Sequence, residues 1–153
     1  MLLSGIIPLA FLSLLPVIDA GVLPTTLDAR APPRVYLCPS TRATNDQWGV
    51  WRGVNDNISW LEGVKGEPVN RPHSCGRIAC SHDTAVYWCN NNWFEYGLPS
   101  YKVIADAVRN IRDNPRCQRT GAVDKDGPLL ITGVRGELEF NSGWSAVVRS
   151  EKC

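Results

Sequence analysis

The sequence predicts an α+β fold: a small disulfide-stapled α/β sandwich, with an antiparallel sheet and one main helix packed on it. Three observations carry that prediction. Six cysteines, Cys38, Cys75, Cys80, Cys89, Cys117 and Cys153, all follow an apolar leader in a chain of 153 residues. Two strand-like runs flank the turn-type stretch Ser81-His82-Asp83-Thr84. One amphipathic run, with Ile104, Ala107, Val108 and Ile111 at helical spacing, lies between Ser100 and Asn114.

The leader comes first in the chain. Residues 1–18 carry no charged side chain, and Ile18-Asp19-Ala20 supplies small-residue cleavage chemistry. Residues 1–20 therefore read as a secretory signal peptide, because the apolar run falls short of the roughly 20 residues a spanning helix needs. Its removal takes away one of 15 acids, Asp19, against 16 Lys and Arg, and moves the net charge from +1 to +2. Neither value, nor the order of the basic residues, supplies the clustered patch that nucleic acid or an anionic membrane requires. Residues 21–34, GVLPTTLDARAPPR, read as a linker or pro-segment with Arg30 and Arg34 as possible processing points. Residues 35–153 are left as a single secreted cysteine-rich domain, and the localisation expected is extracellular.

An even cysteine count in a short secreted chain implies three disulfides, whose pairing cannot be read from the sequence. There is no C-x-x-C pair, and His73 and His82 are the only histidines, so neither a metal site nor a cofactor is expected.

Val35-Tyr36-Leu37-Cys38 reads as a first strand. Residues 39–72 read as an irregular excursion with a short strand around residues 49–54, holding Trp48, Trp51 and Trp60 among Gly, Asn and Asp. Within it Asn57-Ile58-Ser59 is a glycosylation sequon, which implies a surface position for Asn57 if it is used. Pairing Cys80 with Ala85, Ile78 with Tyr87 and Gly76 with Cys89 places Ile78, Cys80, Ala85, Tyr87 and Cys89 on one sheet face, read as the core side, with Arg77 and Trp88 opposite. Ser100 is the candidate N-cap of the helix, Arg109 and Arg112 suit its C-terminal end, and Asn114-Pro115 stops it with Cys117 at the exit. Residues 118–128 read as a polar connection. Leu129-Leu130-Ile131-Thr132, with Gly133 as a break or bulge, is the next strand. Glu137-Leu138-Glu139-Phe140, a turn at Asn141-Ser142-Gly143 and a returning strand from Trp144 follow.

At Arg77-Ile78-Ala79-Cys80, Cys89-Asn90-Asn91, the helix spanning Ile104 and Ile111, and Gly136-Glu137-Leu138, the order of elements resembles the fungal killer-toxin group and the related necrosis-inducing-factor-like effectors of plant-pathogenic fungi. The resemblance covers residues 75–153, about half of the chain. It implies antiparallel strands covered by helices and action on another cell, a rival microbe or a plant host. It brings no catalytic residues.

The residues themselves allow three functions. The first is a virulence or killer-toxin-like protein that, as a monomer, binds a surface component or glycan of a target cell without turnover and without stable membrane insertion. The second is a chitin- or glucan-binding protein using Trp48, Trp51 or Trp60 as flat platforms. The third is a secreted ribonuclease built from His73, His82, Arg135, Glu137 and Glu139, which needs acid–base groups converging on one phosphodiester. The two glutamates fall on one strand face, which reads as the solvent face of an edge strand. His82 beside Asp83 suggests half a hydrolytic triad, but neighbouring side chains on a tight turn diverge and no G-x-S-x-G elbow exists. The expectation is a binding protein with no catalytic residue.

Overall fold

The computed structural model describes residues 33–38, 48–122 and 129–153. The leader and most of the 21–34 segment lie outside them. In chain order the elements are β1 (Pro33–Leu37), β2 (Gly49–Val50), α1 (Trp51–Gly63), β3 (Val69–Asn70), β4 (Ser74–Ser81), β5 (Thr84–Asn90), β6 (Tyr96–Gly97), α2 (Tyr101–Asp113), a 3-10 turn at Pro115–Cys117, β7 (Gln118–Ala122), β8 (Leu129–Val134), β9 (Gly136–Phe140) and β10 (Trp144–Ser150). A five-stranded antiparallel sheet, ordered β1-β9-β10-β5-β4, carries both helices on one face. Helix α1 covers β4 and β5, and α2 covers β9 and β10. Strands β2, β8 and β7 form a second sheet, and β3 pairs with β6.

The α+β class and the three disulfides are as the sequence predicts, but the architecture has two helices. Helix α1 occupies the stretch read as irregular. Its buried residues, Gly53, Val54, Asn57, Ile58 and Leu61, recur at helical spacing, yet a glycine and an asparagine hold two of the inward positions and hide the apolar stripe. Helix α2 buries Ile104, Ala107, Val108 and Ile111 as expected. Ser100 stands at its N-cap position, although its side chain makes no capping bond. The helices are joined at their surfaces by Arg109 to Glu62 and by Arg112 to Asn55.

The hairpin β4–β5 corrects the expected face. Cys80 does face Ala85, but a bulge between Arg77 and Ala79 shifts the register, so that Arg77 faces Tyr87, Gly76 faces Trp88 and Cys75 faces Cys89. The helices cover Val86 and Trp88, with Leu138, Ala146 and Val148 from the neighbouring strands. Cys80, Ala85, Tyr87 and Cys89 turn to the opposite face. Burying Val86 and Trp88 removes more apolar surface from water than burying Ala85 and Cys89, and the sulfurs are taken up by the staples Cys75–Cys89 and Cys80–Cys153. The third staple, Cys38–Cys117, ties β1 to the exit of α2.

Two further expectations change. Residues 118–122 of the supposed polar connection form β7. Strand β9 is interior, flanked by β1 and β10, so Glu137 is fully buried and accepts a hydrogen bond from Ser145 Oγ at 2.8 Å. It is not on the solvent face of an edge strand.

The C-terminus is held against the face of the sheet opposite the helices. Tyr87 Oη donates to Glu151 at 2.6 Å, Arg149 Nη2 reaches the same carboxylate at 2.6 Å, and Arg77 Nη1 donates to the Lys152 carbonyl at 3.0 Å. The Tyr87 hydrogen bond, helped by Arg149 and Arg77 and opposed by burial, lowers the Glu151 pKa. A lowered carboxylate pKa adds stability that is present above the unfolded-state value, near 4.3, and is lost as pH falls through the folded-state value. The melting temperature of the native chain is therefore expected to exceed that of Glu151→Gln at neutral pH, with the gap closing as the pH falls through the lowered folded-state value. A gap independent of pH would show that the carboxylate charge contributes nothing.

Candidate functional site

Strands β4 and β5 turn through His82 and Asp83, whose φ angles are 48° and 50°. Positive φ at both central residues is the mark of a type I′ hairpin turn, whose twist matches the flanking strands. Histidine and aspartate tolerate this region better than most non-glycine residues. The turn delivers Ser81 and His82 to Asp56 on α1. Ser81 Oγ donates to Asp56 Oδ2 at 3.3 Å and lies 2.9 Å from His82 Nδ1, which is 3.1 Å from the same carboxylate oxygen. One helical turn beyond Asp56, Trp60 leaves 53% of its surface exposed. Together with Ile78, Cys80 and Ser81 they border a groove of about 480 Å3 between α1 and the edge strand β4.

The frame around the groove is tightly fitted. Asn57 Nδ2 donates to the Thr84 carbonyl at 2.8 Å, and the Val50 N–H donates to Thr84 Oγ1 at 2.8 Å. Asn57 is only 2% exposed. The sequon implied a surface position if it is used; the structure instead buries the Asn57 side chain and engages its amide nitrogen with the Thr84 carbonyl.

A serine, a histidine and an aspartate within reach of one another are the parts of a hydrolytic triad, but the connections differ. In a triad the acid holds one imidazole nitrogen and the nucleophile uses the other, so that the ring can take the serine proton. Here both contacts fall on Nδ1, and the Ser81 hydroxyl donates to Asp56 instead. The acid partner is also Asp56, from another element, rather than the neighbouring Asp83. The set offers hydrogen-bonding groups around a flat ring, without an activated nucleophile.

The ribonuclease parts do not converge. His82 sits in the hairpin turn, and His73 precedes the far end of the same hairpin. Glu137 is buried inside the large sheet and Arg135 is 8% exposed. Among the described residues, no group of three or more His, Cys, Asp or Glu side chains is placed to hold a metal ion.

Of the three tryptophans singled out for binding, the structure exposes one. Trp51 packs against the core with the Arg112 guanidinium 5.7 Å from its ring centre. Trp48 is half-buried. Trp88, on the strand face read as opposite the core, and Trp144 are both core residues.

Sequence reasoning missed a second aromatic surface. Trp93 and Phe94 are 86% and 60% exposed. His73 meets the Trp93 ring edge-on, with centroids 4.2 Å apart. The loop bearing them is anchored by Asn90, whose buried amide donates to the carbonyls of Asn70, Arg71 and Phe94 and accepts from the Asn92 N–H. Asn92 in turn donates to the Ser142 and Gly143 carbonyls. The available signal was an aromatic pair directly after Asn90-Asn91-Asn92, outside any strand or helix period. It precedes β6.

No protein-family model, curated protein or solved structure matches this chain. Its function has to be argued from its own geometry.

Proposed function

We propose that this chain is a secreted toxin or effector of the killer-toxin kind, which acts as a monomer by holding a component of a target cell's surface, without turnover. The observation that carries the reading is the Trp93–Phe94 pair, presented to solvent on a loop whose backbone is already fastened by the buried Asn90 and the half-buried Asn92. Loops on a rigid scaffold are where contacts with partners concentrate, and a pre-ordered aromatic loses little entropy on binding. Burial of each ring against a partner is worth about 2–3 kcal/mol. Three disulfides belong to an oxidising, extracellular setting. No helix among the described residues is long and apolar enough to cross a membrane.

The test applies the oxidised protein, residues 21–153, to leaf tissue and to fungal cells, scoring both cell binding and death, with a reduced and alkylated sample as control. The oxidised form is expected to bind and kill one of the two. The double variant Trp93→Ala/Phe94→Ala is expected to lose roughly tenfold or more in binding, with a melting temperature close to the parent's because neither ring is buried. Absence of any effect of the oxidised protein on either cell type would reject the reading. Full activity in the double variant would move the contact surface elsewhere.

A further inference from the structure

We infer that the groove beside Trp60 is a subsite for a neutral, all-equatorial pyranose, a β-linked glucose or N-acetylglucosamine unit of a cell-wall glycan. The inference rests on the surface-binding reading and names the chemistry of what is held. It stands on the combination of one half-exposed indole with the polar side chains of Asp56 and Ser81 in the same groove.

An all-equatorial pyranose presents its C–H bonds on its two flat faces and its hydroxyls around its rim. A ligand of that shape needs an aromatic plane below and hydrogen-bonding groups beside it. Trp60 supplies the plane. Asp56 and Ser81 supply the rim, a carboxylate to accept from hydroxyls and a hydroxyl that can donate or accept, and the His82 imidazole adjoins both. Asp56 and Trp60 are four residues apart on α1, hence on one helix face, and Ser81 is brought opposite them by the hairpin turn. The groove, at about 480 Å3, falls within the roughly 300–1,000 Å3 of small-ligand clefts.

Its charge selects for a neutral ligand. Asp56 is the charged side chain in the lining, and no lysine or arginine joins it among the described lining residues. A phosphate or a uronic acid would be placed against that carboxylate, whereas a neutral sugar hydroxyl donates to it. The site is also preformed. Asn57 and Thr84 lock α1 to the hairpin directly beneath Trp60 and Asp56, so the platform and the rim keep their spacing without a ligand.

The experiment titrates the oxidised protein with chitohexaose, cellohexaose and laminarihexaose, and with an oligogalacturonate as the acidic counterpart, following binding by calorimetry. At least one neutral oligosaccharide is expected to bind saturably, and the preferred one assigns the sugar and its linkage. Trp60→Ala is expected to weaken that binding by roughly tenfold or more, Trp60→Tyr to restore most of it, and Asp56→Asn to weaken it less. Failure of all three neutral ligands, preference for the acidic oligomer, or full binding by Trp60→Ala would each overturn the inference. Binding to intact cells separates the two levels: cell binding that persists while the sugars fail rejects only the glycan subsite, and loss of cell binding in the native protein rejects the surface-binding reading as well.

Discussion

Replacing Gly53 by alanine is expected to lower the unfolding free energy by about 3 kcal/mol and the melting temperature by roughly 10 °C. Gly53 lies where α1 crosses the β4–β5 hairpin. A Cβ there would meet the Ser81 carbonyl oxygen and would lie 2.6 Å from Thr84 Oγ1 and 2.8 Å from Thr84 Cβ. The carbonyl is backbone and cannot rotate away. Thr84 is fully buried and already engaged with Val50 and His82. Relief therefore requires the helix to lift from the sheet, which pulls Asn57 from the Thr84 carbonyl. Gly63, at the end of the same helix, has nothing within 4 Å of its added Cβ. Gly63→Ala should leave stability unchanged or raise it by a few tenths of a kcal/mol, since alanine favours helix. Thermal melts of the two variants make the comparison. A Gly53→Ala protein melting within about 2 °C of the parent would mean that the helix is not seated this closely. The same contact sets the width of the Trp60 groove, so ligand binding there should fall with it.

Removing the Cys80–Cys153 staple, as Cys80→Ser/Cys153→Ser, is expected to cost more than removing Cys75–Cys89. The sequence separations are 73 and 14 residues. In the chain-entropy account, closing such loops in the unfolded chain is worth about 4.4 and about 3 kcal/mol. The folded arrangement at the C-terminus has other supports. The Glu151 N–H donates to the Asp83 carbonyl at 3.0 Å, and the Cys153 N–H to Asp83 Oδ1 at 3.3 Å. With the folded geometry retained, the loss enters mainly through the freedom regained by the unfolded chain. Denaturant unfolding of both double variants measures it. An equal loss, or a larger one for Cys75→Ser/Cys89→Ser, would place the value of the staples in the folded state instead.

Much of the large sheet was legible because its strands alternate and its turns carry turn residues. Glu137-Leu138-Glu139-Phe140 and the strand from Trp144 flank a turn in which Gly143 has φ of 79°. Helix α2 was legible for the corresponding reason: Ile104, Ala107, Val108 and Ile111 are all apolar and all inward. Helix α1 was not, because close approach to the hairpin demands a glycine at 53, and the buried Thr84 carbonyl demands an amide at 57. Both requirements come from another part of the chain. They replace hydrophobic side chains at the positions by which an amphipathic helix is recognised.

The candidate site divides in the same way. Trp60 could be picked out as a possible platform, but its partners could not, because Asp56 and Ser81 are 25 residues apart and meet only when α1 packs on the edge strand. Alternation located the β4–β5 hairpin, whereas packing of the helices on Val86 and Trp88 decided which face of β5 is core. Cysteine number implied three disulfides, and their pairing awaited the fold. By itself, then, the sequence determined the class, most of the strands, one helix and an oxidised cysteine-rich chain, since these follow from local period, turn chemistry and composition. Tertiary structure alone decided the second helix, the inward face of the hairpin, the buried state of Asn57 and Glu137, and the meeting of Asp56, Ser81 and His82 beside Trp60. Each of these is set by contacts between residues distant in sequence, where burial of the larger apolar surface and satisfaction of buried polar groups outweigh local preference.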